Sequence, residues 1–211
     1  MVPIPILHTD EHLLVVDKPA GVLVTAAPGR NERSLIDHLG DQLGHRVYAV
    51  HRLDEGTTGV LVVAVTEAGR LAMDPLFRAH AVRREYLALV VGRPQPDAGR
   101  IESQLREVGD VVRVVERGGQ RAVTDYRTLD RRGRLSLLAC QLETGRRNQI
   151  RVHMQALDCP IAGDRKYGYR AREGERFRRP MLHSWRVEFV HPLLGIRVSA
   201  EALPPEPELR P

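Results

Sequence analysis

The run Val50-His51-Arg52-Leu53-Asp54-Glu55-Gly56-Thr57-Thr58-Gly59 holds the most concentrated chemistry-bearing text in this chain. It sets a carboxylate on a polar, glycine-bracketed loop that leads straight into an apolar, β-branched run over 59–65. A loop at the edge of a rigid sheet is a common seat of function, because the sheet fixes its position while the loop stays accessible. Asp54 and Glu55 are adjacent, so in extended backbone their side chains point to opposite sides. They make a poor acid/base pair for a single glycosidic bond, which needs both carboxyl groups facing it. Asp54 either works alone or beside a cation, or it orders a turn by accepting backbone N–H bonds.

A second dense run is Glu143-Thr144-Gly145-Arg146-Arg147-Asn148-Gln149-Ile150-Arg151-Val152-His153. Arg147 and Arg151 stand four apart, which predicts a shared helix face with Gly145 ahead of the helix start. An exposed basic helix is the plainer reading. Pro160-Ile161-Ala162-Gly163-Asp164 follows and opens into a basic segment over 165–179. That segment holds seven basic residues against Glu173 and Glu175, an excess equal to the formal +5 of the whole chain. The planar guanidinium suits phosphate oxygens, so the segment fits a polyanion; a solvated loop would look the same.

The elements that must position these residues are mostly strands. Residues 13–16 and 22–25 read as short strands around Lys18-Pro19-Ala20-Gly21. Ser34 is placed to cap a helix carrying Leu35, Ile36, Leu39 and Leu43 on one face. The run 59–65 reads as a buried strand. Residues 66–81 read as a helix that Pro75 should break or kink, with Leu71, Leu76 and Ala79 available for burial. Strands follow at 85–92, 111–116, 121–127 and 135–142, with Gly118-Gly119 as the turn of a hairpin between the second and third. A helix over 148–157, a last strand pair at 184–190 and 195–200, and an irregular proline-rich tail at 203–211 complete the chain. Strands in runs with few helices between them indicate α+β with a mainly antiparallel, mixed sheet and flanking helices.

The composition bounds the class of protein. With 211 residues, 42% of them hydrophobic and 28% charged, the chain can bury its own core. No apolar run approaches the ~20 residues of a membrane span, and the first residues lack the basic leader of a secretory signal. Cys140 and Cys159 form no CxxC motif, which excludes a disulfide scaffold and zinc-ligand spacing. A reduced cytoplasm is the expected compartment.

Six motifs in order then carry a resemblance. His51-Arg52-Leu53-Asp54 with Thr57-Thr58-Gly59 resembles the signature of the RluA family of RNA pseudouridine synthases. Asp17-Lys18-Pro19-Ala20-Gly21, Arg84-Glu85-Tyr86-Leu87-Ala88, Thr144-Gly145-Arg146 with Gln149-Ile150-Arg151-Val152-His153, Pro160-Ile161 with Gly163-Asp164 and Tyr167-Gly168, and Leu182-His183 resemble its other landmarks. The resemblance spans about residues 10–200 and implies a single catalytic domain over 1–211, with a pseudouridine synthase fold and a central active-site cleft. It also implies the short form that lacks an S4-type RNA-binding domain. Asn148 stands where the family usually has His, and Thr58 where Ser is commoner.

By this resemblance Asp54 is the catalytic carboxylate, Arg151 its cationic partner and Tyr86 the ring that packs on the target base. Ile150 lines the pocket, Arg52 fills the space of the flipped base, and Thr57 and Arg146 join them in substrate binding. Arg165, Lys166, Arg176, Arg178 and Arg179 are expected at the RNA backbone on charge alone. The implied reaction needs neither cofactor nor metal, and the sequence shows no nucleotide-cofactor fingerprint or ligand cluster. The expected partner is structured RNA, a ribosomal or transfer RNA stem-loop, acted on by a monomer without contact to a membrane. Two rival readings are an RNA-binding or ribosome-assembly protein that has lost catalysis, and a glycoside hydrolase that uses Asp54.

Overall fold

The computed structural model describes every residue except Met1, Pro28 and Arg30. In chain order the elements are β1 (Ile6–Thr9), β2 (Leu13–Lys18), α1 (Leu35–Leu43), β3 (Tyr48–Ala49), β4 (Thr58–Ala64), α2 (Glu67–Arg78), β5 (Arg83–Val91), β6 (Ala98–Val108), β7 (Val111–Val115), β8 (Gln120–Arg132), β9 (Leu135–Leu142), α3 (Gln149–Ala156), β10 (Leu182–Val190) and β11 (Arg197–Glu201). This is an α+β fold with mainly antiparallel strand pairing, as the strand runs predict. The chain forms two compact units: Met1–Arg84 with Ser184–Leu203, and Glu85–His183 with Pro204–Pro211. Among the described residues, no helix is long and apolar enough to cross a membrane.

In the first unit the strand order is β1-β2-β4-β10, with β3 beside β4 and β11 beside β10. Every residue of β4 is buried, as its unbroken apolar run requires of a strand covered on both faces. Its Val60, Val62 and Ala64 pack with Leu13, Val15, Met73, Val187 and Phe189. Helix α1 opens on a capping box: Asp37 N–H bonds the Ser34 hydroxyl, and the Asp37 carboxylate accepts from Ser34 N–H at 2.8 Å. Residues 22–25 do not form the expected strand. The carbonyls of Leu23 and Val24 instead accept the N–H groups of Leu35 and Ile36, at 2.7 and 3.2 Å, serving donors that the first helical turn leaves open. Helix α2 runs through Pro75. The carbonyl that loses its donor there belongs to exposed Leu71, so water can replace the bond, and Met73 rather than Leu71 or Ala79 faces the core.

The second unit has strand order β5-β9-β8-β6-β7. The hairpin expected at Gly118-Gly119 is absent, because β7 and β8 do not pair with each other. Both pair with β6, a strand without a signal in the sequence, and the tight turn is Gly109-Asp110 between Val108 and Val111. Gly119 is still required: a Cβ there would meet the Leu105 carbonyl at 2.9 Å and Val115 at 2.8 Å. The tail is also less irregular than its prolines suggest. Pro207–Leu209 makes a 3-10 turn with Leu209 fully buried, and Arg132 donates to the carbonyls of Glu208 and Arg210, both at 2.8 Å.

Candidate functional site

Asp54 lies in the first unit, in the loop that joins β3 to β4. The loop is held from inside by Lys18, a fully buried lysine at the end of β2. Its ammonium donates to the carbonyls of Pro19, Glu55 and Thr57 at 2.9, 3.1 and 2.9 Å. Burial of a charge is tolerable only with partners of this kind. Gly21 N–H also reaches the Glu55 carbonyl at 2.9 Å, from a left-handed φ of 78° that favours glycine. Thr57 N–H closes a turn on the Asp54 carbonyl at 3.0 Å. The result is a small, backbone-locked turn with Leu53 buried, Asp54 half-buried and Arg52 exposed. Thr57 is 2% exposed, and both its N–H and its carbonyl are engaged in this turn.

The second unit carries Tyr86, Ile150 and Arg151. Tyr86 sits on β5 opposite Cys140 of β9 and is buried. Helix α3 is keyed to β8 and β6 by two side chains one turn apart. The Gln149 amide accepts from the Thr144 hydroxyl at 2.7 Å and from Arg146 N–H at 3.0 Å, and donates to the Val123 carbonyl and the Thr124 hydroxyl at 2.9 and 3.0 Å. His153 lies between the hydroxyls of Thr124 and Ser103, at 2.8 and 3.0 Å. Burial pushes its pKa down to about 4, so it is a neutral hydrogen-bonding strut. With that face fixed, Arg151 is held in a fork by Asp164: Nε to Oδ2 at 2.7 Å and Nη2 to Oδ1 at 2.8 Å. Its Nη1 donates to Asn148 Oδ1 at 3.1 Å, and its guanidinium lies over the Tyr167 ring at 4.9 Å. Asn148, where the family usually has His, spends its other amide end on the Tyr167 hydroxyl at 2.8 Å, and Val112 N–H donates to that same oxygen at 2.9 Å. The amide thus completes a network around Arg151.

Two expectations, those for Arg147 and Arg179, need correction. Arg147 does not share a helix face with Arg151. It precedes α3, whose start lies at Gln149, and pairs with Glu107 of β6 at 2.6 Å. Arg146 is partly engaged, its Nε donating to the Arg121 carbonyl at 3.1 Å, and it lines a groove of about 410 Å³ with Arg106, Glu107 and Arg147. Arg179 is not a free surface cation: its guanidinium bonds Glu206 at 2.8 Å and the carbonyls of Pro180 and Leu182 at 2.8 and 3.0 Å. Arg165, Lys166, Arg176 and Arg178 are all exposed and carry the charge of the segment nearer to solvent.

The loop that bears them is pinned by Glu175. Its carboxylate accepts from Nε and Nη2 of Arg134, from the Tyr169 hydroxyl at 2.9 Å and from Arg172 N–H at 3.0 Å. Chiefly through the Arg134 bonds, its pKa is held down to about 2 from an ordinary 4.5. A carboxyl whose folded value is depressed stabilises the fold above its unfolded value and loses that contribution as pH falls through the folded one. Segment 165–179 is therefore expected to loosen between about pH 4.5 and 2, ahead of the buried strands; amide exchange of Tyr169 and Arg172 measured down that range would show it. In Glu175→Gln the same amides should exchange fast already at pH 7.

Comparison with known proteins adds to this geometry. Residues 12–156 match the family described as RNA pseudouridylate synthase, a span that includes Asp54, Tyr86, Ile150 and Arg151 but ends before the basic loop. A ribosomal large subunit pseudouridine synthase D of Zymomonas mobilis is 35% identical, over 97% of this chain and 70% of that protein. Its namesake in Nitrosomonas europaea is 37% identical, over 92% of this chain and 60% of that protein. The chain therefore spans 60–70% of the length of these two relatives. Among solved structures, the human RNA pseudouridylate synthase domain containing 4 matches with a TM-score of 0.80 and 28% identity, over 96% of this chain and 89% of that one.

Proposed function

The chain belongs to the RNA pseudouridylate synthase family, and we propose that it isomerises a uridine of structured ribosomal RNA to pseudouridine with Asp54 as the reacting carboxylate. The turn that holds Asp54 carries this reading, because a buried lysine and six main-chain groups are committed to presenting that one acid. The named substrate of the bacterial relatives, the large ribosomal subunit, supports ribosomal RNA. All assigned residues lie on one chain, so a monomer suffices, and a ribosomal substrate implies the cytoplasm.

The reaction breaks the N1–C1′ bond, turns the uracil and joins C5 to C1′. The C5 proton is released and one proton is taken up at N1, so no co-reactant is consumed. A stacked uridine must first be everted, at a cost of a few kcal/mol. Arg52, exposed beside the turn, suits the vacated stack. Tyr86 supplies an aromatic face, and base stacking of this kind is worth about 1–3 kcal/mol; Ile150 lines the pocket. Arg151 supplies a guanidinium held in one orientation by Asp164 and Asn148. Thr57 acts on the turn, and Arg146 with its groove contacts the RNA.

Tritium release from RNA labelled at uridine C5 tests the reading, because only substitution at C5 frees the label. Release from ribosomal RNA fragments supports it. Binding without release would favour an RNA-binding protein without catalysis, and release from transfer RNA alone would move the substrate. For the basic loop, glutamine at Arg165, Lys166, Arg176 and Arg178 together should lower the slope of log binding constant against log salt by about 3, since each phosphate left without its cation removes roughly 0.7–0.9. Arg179→Gln should cost stability and leave the slope alone; an unchanged slope in the fourfold variant would remove the loop from the interface.

A further inference from the structure

We infer that His51 is a positioning residue for Asp54, its imidazole standing in for main-chain pairing on β4 and fixing the limb of the loop from which the carboxylate is presented. The inference rests on the reading of Asp54 as the reacting group.

Strand β3 pairs with β4 at Tyr48↔Ala64 and Ala49↔Val63. Continued in register, Val50 would meet Val62, but the ladder stops, and Val62 N–H donates instead to His51 Nε2 at 3.0 Å. Val62 is fully buried, so without this acceptor its N–H would be orphaned at a site that water does not reach. The ring thus lets the backbone peel away from β4 one residue early while β4 stays satisfied, and the chain is free to turn toward Asp54. The loop is then pinned on both limbs: His51 before Asp54, and the Lys18 ammonium on the Glu55 and Thr57 carbonyls after it.

Two further contacts keep the imidazole an acceptor in one place. Phe77 of α2 stacks on it, with ring centroids 4.6 Å apart and planes at 25°. Burial, reinforced by the charge of Arg84, pushes its pKa down to about 3. A protonated ring would set N–H against N–H, and that does not happen near neutral pH. Arg84 also lies over the Phe77 ring, at 5.6 Å. None of these groups needs to touch the substrate for the role to hold.

The test compares His51→Leu with His51→Gln in the full chain. Leucine fills space but accepts nothing, whereas the glutamine carbonyl reaches about as far as Nε2. A displacement of about 1 Å in a reacting group costs on the order of 10²-fold in rate. His51→Leu is therefore expected to slow single-turnover tritium release about 10²-fold with RNA affinity within a few-fold, and to speed amide exchange at Val62. His51→Gln should restore both Val62 protection and most of the rate. A leucine variant at the wild-type rate would overturn the inference, as would a glutamine variant that protects Val62 yet stays as slow as leucine. Should the leucine variant not fold, the glutamine variant decides by the same two readouts. A wild-type protein that releases no label overturns the assigned reaction instead, while Val62 exchange still judges the pin.

Discussion

Asp54→Asn is expected to lower tritium release by more than about 10³-fold, in keeping with removal of a reacting carboxylate. The substitution keeps the size of the side chain and removes its charge. Lys18, Gly21 and Thr57 address main-chain groups of the turn, so the turn itself should survive. RNA affinity should change no more than a few-fold, because phosphate contacts supply most of it. Asp54→Glu keeps the charge but moves it by a methylene, and should still lose about 10²-fold. Single-turnover release and filter binding on the same preparations separate chemistry from affinity. Turnover retained in Asp54→Asn would end the assignment and reopen the hydrolase and binding-protein readings.

Lys18→Met is expected to give the largest loss of stability among single changes away from the apolar core. The thioether matches the length of the lysine stem but donates nothing, leaving the Pro19 and Thr57 carbonyls without their ammonium and Glu55 with Gly21 N–H alone from this pair of donors. Orphaned buried acceptors cost about 1–3 kcal/mol each, partly relieved by relaxation, so a net loss of about 3 kcal/mol is reasonable. At the 2–4 °C per kcal/mol typical of chains this long, Tm should fall by about 6–12 °C. Activity should fall further than the folded fraction does, because the released loop is the one that carries Asp54. A variant with unchanged Tm would mean that the clamp does not hold the loop. Lys18→Arg would not rescue, since a fork cannot converge on three carbonyls around a point.

Local text carried a good deal of this protein. The run that became β4 is apolar at nearly every position, and only a strand buried on both faces tolerates that. Ser34 with Asp37 three residues on marks a helix start through a capping box, which needs no tertiary partner to form. The ordered motifs marked Asp54, Tyr86, Ile150 and Arg151, all inside the matched family span.

Other features had no local signature. Strand β6 buries little beyond Leu105 and alternates charged and polar residues on open faces, so nothing in its text separates it from a loop; pairing with β7 and β8 makes it a strand. That missing strand is why Gly118-Gly119 looked like a hairpin turn. Arg179 and Arg178 read identically as charge, yet one is spent on Glu206 and two carbonyls while its neighbour in sequence faces outward enough to keep its charge for a partner. Lys18 and His51 show the same limit at the candidate site, for their partners lie 39 and 11 residues away. Short-range patterning thus determined which segments could be strands or helices and which side chains had reactive types. Whether a given cation or imidazole is a ligand group, a clamp or a strut depends on which distant backbone atoms converge on it, and only the folded chain brings those together.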